Sequence, residues 1–157
     1  MSLANDIRGL ESLPLKLMII ALVASLSIIP AAEALDALKN KDLLNRVELQ
    51  LERIVSTAQV LTIEGPGSAR TIEIDFSSDG ELSVERAVIG DGAGRSNMSS
   101  VVVRFTNGAT MVETCTDPSV WMRARDGSGL VVESPRWELR MSAHIDGAAV
   151  YVLAEAA

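Results

Sequence analysis

Hydrophobic and polar positions follow three successive patterns along the chain. From Leu13 to Ala32 almost every position is apolar, and Lys16 is the only charged residue among these 20. Wound as a helix, such a stretch spans ~30 Å, the thickness of a bilayer's hydrocarbon core. Its centre, Leu17 to Ile29, holds nothing more polar than Ser25 and Ser27. A serine hydroxyl there can bond back to a carbonyl one turn earlier, so neither residue breaks the pattern. Lys16 lies near one end, where its long stem can carry the ammonium to the interface.

The second pattern is amphipathic. Leu35, Leu38, Leu44, Val47, Leu51, Ile54, Val55 and Ala58 recur mostly at intervals of three or four, with Asp36, Lys39, Lys41, Asp42, Arg46, Glu48, Glu52 and Arg53 between them. That spacing predicts a helix with one apolar face. No glycine interrupts residues 10–64, so a single helix is expected from about Leu13 to about Ala58. Pro30 can kink it by removing one donor and crowding the preceding turn.

From Leu61 the period falls to two. Ile72 to Phe76 alternates strictly, as does Trp137 to Ile145. Further strands are expected over Gln59–Glu64, Leu82–Ile89, Val101–Thr106, Thr110–Thr114, Leu130–Glu133 and Ala149–Leu153. The breaks between them are Gly65-Pro66-Gly67, Ser78-Asp79-Gly80, Asn107-Gly108, Asp126-Gly127-Ser128-Gly129 and Asp146-Gly147. Asn-Gly and Asp-Gly between apolar runs signal hairpins, because both residues tolerate positive φ. The expected class is α+β: a long N-terminal hydrophobic-then-amphipathic helix followed by an antiparallel, β-rich, sandwich-like head of seven or eight short strands. One face of the sheet meets a core and the other meets water.

Length and charge narrow the function. The chain has 157 residues and a formal net charge of −7. The excess is uneven: residues 1–60 hold six basic and seven acidic side chains, whereas 61–157 hold eight arginines, no lysine and fourteen acids. An acidic head argues against nucleic acid, which needs a basic face. Cys115 is the only cysteine, so no disulfide closes within the chain, and a buried, inert thiol is expected.

The apolar run admits three readings. A cleaved secretory signal would use Ala32-Glu33-Ala34 as its small-x-small site. A single-pass anchor needs only the length. A buried core helix would normally be amphipathic, and this segment is apolar on all sides.

Little else points to chemistry. His144, the only histidine, falls on the polar side of an alternating strand, and nothing local brings Cys115 to it as a nucleophile pair. Gly90-Asp91-Gly92-Ala93-Gly94 lacks the helix and lysine of a phosphate loop and reads as a turn. The acids Asp75, Asp79, Glu81 and Asp91 lack calcium-loop spacing. Asn97-Met98-Ser99 fits a glycosylation acceptor at Asn97. Trp137 begins an apolar face with Leu139 and Met141 and is expected in the core, whereas Trp121, after Asp117-Pro118, is a candidate for a partner contact. The chain is not expected to be an enzyme, and no cofactor or metal is expected.

The order of short leader, Gly9, apolar helix, amphipathic continuation and β head resembles the type IV pilin family and its archaeal pilin-like relatives. The resemblance rests on residues 1–60 as a segment pattern, and the head matches in class alone. It implies that a prepilin-type membrane peptidase cuts after Gly9, removing residues 1–9 and leaving Leu10 as the new N-terminus. It implies that Glu11 is the acidic residue of the first mature turn and that Pro30 is the helix-bending proline. Residues 10–58 would be the long helix, with its membrane segment at about 13–32, and 59–157 the head. The subunit would self-associate through the helix, sit in the lipid bilayer beforehand, and face its head outward at the cell surface.

Glu11 itself has two readings. An acid near a helix N-terminus is favoured by the dipole, by ~0.3–1 kcal/mol. It could instead pair with the freed α-amine of a neighbouring subunit inside an apolar bundle, where an unpaired charge is heavily penalised. A different class of function remains open: a single-pass, membrane-tethered β domain that binds a ligand or partner protein and never polymerises.

Overall fold

The structure, a computed structural model, describes residues 7–90, 98–147 and 149–156, with side chains from residue 14 onward. It is α+β: helix α1 (Ile7–Glu64) precedes eight strands, β1 (Ala69–Asp75), β2 (Val84–Ile89), β3 (Ser100–Phe105), β4 (Thr110–Thr114), β5 (Trp121–Arg123), β6 (Leu130–Val132), β7 (Arg136–Asp146) and β8 (Ala149–Ala156). The chain divides into two compact units, with the boundary between Leu38 and Lys39.

In the first unit the described residues belong to α1, and their apolar side chains stand open. Leu15, Leu17, Met18, Ile19, Ile20, Leu22, Val23, Leu26, Ile28 and Ile29 are each 55–70% exposed. Pro14 and Pro30 both lie inside the helix.

The second unit holds the remaining turns of α1 and two four-stranded sheets. The first sheet has the order β1-β7-β8-β5 and the second β4-β3-β2-β6. Every neighbouring pair is antiparallel except β5 with β8, which run parallel from Trp121↔Tyr151 to Arg123↔Leu153. One core joins the helix to the inner faces of both sheets. Leu43, Val47, Leu51, Ile54, Ala58 and Leu61 of α1 are at most 1% exposed. They recur at three and four, so they form one stripe down the helix. The stripe meets Ile72 and Ile74 of β1, Leu139 and Met141 of β7, and Val101, Val103 and Phe105 of β3 in a single buried cluster. Burying each such aliphatic side chain contributes ~1.5–3 kcal/mol relative to leaving it in water.

Three features differ from the sequence expectation. The helix does not stop at Ala58, and Gln59–Glu64 is helical where a strand was expected. Ala58 and Leu61 are both buried, and only the helical period puts them on the same stripe. The helix ends at Gly65, whose φ of +87° and N–H to Leu61 carbonyl bond of 3.0 Å form the left-handed cap glycine favours. Leu35 and Leu38, expected in the stripe, are 53% and 65% exposed, while Leu43 is in the core instead. Strand β5 was not expected, because three residues after Asp117-Pro118 carry no readable alternation.

Gly90 follows β2 where the chain packs closely against the β5 backbone. It is buried with φ +66°, and a Cβ there would lie 1.9 Å from the Met122 carbonyl oxygen. The bonds Gly90 N–H to Ser100 carbonyl (2.9 Å) and Met122 N–H to Met98 carbonyl (2.7 Å) hold the crossing in place.

Candidate functional site

The most distinctive chemical feature is the apolar first part of α1. Among the described residues one helix is long and apolar enough to cross a membrane, or to serve as a signal sequence, and none of its most apolar window is buried by the protein. Its two hydroxyls are satisfied internally. Ser25 Oγ donates to the Leu22 carbonyl at 2.8 Å and Ser27 Oγ to the Val23 carbonyl at 2.9 Å. No side-chain donor in Leu17–Ile29 is therefore left seeking water, which is what lipid demands of a spanning helix.

Later in sequence, within the second unit, α1 is the spine of the head, and two of its polar residues grip the edge of the first sheet. Gln50 Nε2 donates to the Asp75 carbonyl at 2.8 Å, and the Asp75 N–H donates to Gln50 Oε1 at 2.8 Å. The side-chain amide thus pairs with β1 as another strand's peptide would. One turn earlier, Arg46 Nη1 donates to the Ser77 carbonyl at 3.2 Å, while its other nitrogen pairs with Asp42 at 2.6 Å. Sequence reasoning missed Gln50; its only signal was its place at the border of the apolar stripe, four residues after Arg46.

Asp75 anchors the same corner. Its Oδ1 accepts from the Ser77 N–H at 2.9 Å and from the Ser77 hydroxyl, and its Oδ2 faces Arg136 Nε at 3.0 Å. The Ser77 bonds, with help from the Arg136 charge, pull the carboxyl down to about 2.

The other candidate residues separate. Cys115 is buried at 4% exposure, and burial pushes its thiol up to about 11, so it has little thiolate character. His144 is exposed, as its place on the polar side of β7 predicted. Its Nε2 lies 2.9 Å from Ser142 Oγ, and its ring stacks on Tyr151 with centroids 5.6 Å apart. The opposing burial of Cys115 and His144 does not suit a nucleophile–base pair. Arg123 lies 3.6 Å over the Tyr151 ring and 3.2 Å from Asp146, which keeps its guanidinium firmly protonated. Trp121 is half-buried beside them, and Trp137 lies in the core at 7% exposure. Among the described residues no group of three or more His, Cys, Asp or Glu side chains is placed to hold a metal ion.

The residues on which processing and assembly were expected to turn are less fully described. Gly9, Leu10 and Glu11 lie in the first turns of α1, and their side chains are outside the described residues. Asn97 and residues 91–94 of the glycine-rich turn also lie outside them. Pro30 sits inside the helix, within the exposed apolar segment.

Comparison with known proteins gave no match to any family model, any curated protein or any solved structure.

Proposed function

We propose that the chain is a membrane-anchored, pilin-like structural subunit that assembles through its N-terminal helix into a surface filament or pseudopilus. The observation that carries this reading is the helix. Ten large apolar side chains between Leu15 and Ile29 are exposed around its whole circumference, whereas residues 43–61 of the same element form the spine of a β head. Exposed apolar surface on this scale marks a contact with lipid or with other chains. A helix that serves both environments suits a subunit held first by lipid and then by sister helices.

In this reading the peptidase cuts after Gly9, Glu11 sets the register of assembly, Pro30 bends the helix and the head faces outward. No nucleic acid, cofactor or catalysis is involved. N-terminal sequencing of the membrane-extracted protein tests the first step, with Leu10 expected. Met1 or Ser2 would indicate a plain anchor, and Leu35 a cleaved signal. Electron microscopy of sheared surface material, immunolabelled for the head, tests the second. A correctly processed protein found only as membrane monomers would favour a tethered β domain that binds a partner without polymerising.

A further inference from the structure

The solvent face of the second sheet carries an apolar row that the core does not use. Val112, Val102, Val88 and Val131 are direct cross-strand neighbours, running β4-β3-β2-β6. Val112 and Val131 are 55% and 53% exposed, and the two between are half-buried. Three inter-strand steps make the row ~14 Å long. Beside it Arg86 stands directly opposite Arg104, and a cleft of about 340 Å³ opens between these arginines and Val88, Val102 and Val131. Arg104 pairs with Glu85 at 3.2 Å, and Arg86 has no ion pair among the described residues. Like charges directly opposite in a sheet are destabilising.

The exposed back of α1 has the complementary pattern. Leu49 is 65% exposed and Val60 38%. Eleven residues apart, they return to the same line on the helix, ~16 Å from each other. Glu48 and Glu52, both exposed, lie together on one flank of that line, and Arg53 lies on the other. The two glutamates are a like-charge i,i+4 pair, again unfavourable by itself. Neither has an ion pair among the described residues.

We propose that the valine row of one copy receives the Leu49–Val60 back of the helix of a second copy, with Glu48 and Glu52 opposite Arg86 and Arg104. Glu48 and Glu52, which have no ion pair of their own among the described residues, then meet Arg86, which has none either, and Arg104, which keeps its bond to Glu85. The two surfaces differ and sit on one chain, so the contact is heterologous and repeats without closing unless a rotation happens to close it. This rests on the proposed assembly and adds which head surfaces meet.

Cysteine cross-linking in intact membranes and sheared surface material tests it. The wild-type Cys115 is buried, so background is low. The double variant L49C/V102C should give a ladder of disulfide-linked oligomers under mild oxidation, while L49C and V102C alone stay monomeric. E52R should cut ladder formation by tenfold or more, and R86E in the same chain should restore it. Labelled filaments without a ladder would overturn this contact and leave the assembly reading standing. Efficient dimers of either single variant would overturn it in favour of a like-to-like contact. Absence of any assembled material would overturn both.

Discussion

Gln50 does for the end of β1 what a neighbouring strand would do, by supplying one donor and one acceptor to the Asp75 backbone. Replacing it with alanine leaves both backbone groups part-buried and unpaired, which costs ~1–3 kcal/mol. Gln50→Ala should therefore lower the denaturation midpoint of the detergent-solubilised protein clearly; an unchanged midpoint would show that water takes over both bonds. Asp75, at the same corner, makes a pH-dependent contribution. Its folded value, about 2, lies below the ordinary carboxylate range. Its contribution is thus fully present above the unfolded value of ~3.9 and is lost as pH falls through about 2. Asp75→Asn should lower Tm modestly at pH 7, since the site is partly solvated. Thermal melts of the two proteins should converge as pH drops from 4 to 2; a gap constant with pH would exclude the carboxylate's charge as its source. Neither role was legible in the sequence, because both depend on which strand edge the helix lies against.

At the scale of elements, periodicity decided what could be read. Strands long enough to alternate, such as β7 with Trp137, Leu139, Met141 and Ala143 buried, announced themselves. Strand β5 is too short to alternate, and its parallel pairing with β8 joins residues about thirty apart in sequence. The end of α1 misled because Val60 and Thr62 can be read at period two, while the buried Ala58 and Leu61 keep the helical period. Similarly, spacing places Leu44 and Leu51 on one face and cannot say which leucines the sheets will cover. The structure buries Leu51, at 1% exposure, and leaves Leu38, expected in the same stripe, at 65%; Leu49, outside the stripe, is also 65% exposed. Leu51→Ala should destabilise the head by ~2–5 kcal/mol, through lost burial and a cavity. Leu49→Ala should stay within ~0.5 kcal/mol in detergent at protein concentrations low enough to keep subunits apart. Chemical denaturation of both variants checks the contrast, and equal losses would mean that the stripe is wrongly placed.

For the molecule as a whole, the division of labour between its two units sets its solubility. The unit from Lys39 onward contains every residue of the buried cluster, from Leu43 to Ala154. It therefore holds the whole of its core without the apolar segment. In the first unit, large side chains from Leu15 to Ile29 are more than half exposed, and packing within the chain offers them no shelter. Each large aliphatic left in water forfeits ~1.5–3 kcal/mol that lipid or a sister chain could supply. A chain starting at Lys39 should consequently be monodisperse in plain buffer and melt cooperatively. The full chain should need detergent or vesicles, and should float with liposomes in a density gradient. The acidic excess of the later residues, which keeps like-charged heads apart in solution, makes the contrast sharper. Size-exclusion chromatography of both chains with and without detergent reads the outcome directly. A full chain that stayed monodisperse and folded in plain buffer would remove the physical basis for a membrane segment, and with it the reason for the helix to be apolar on every side.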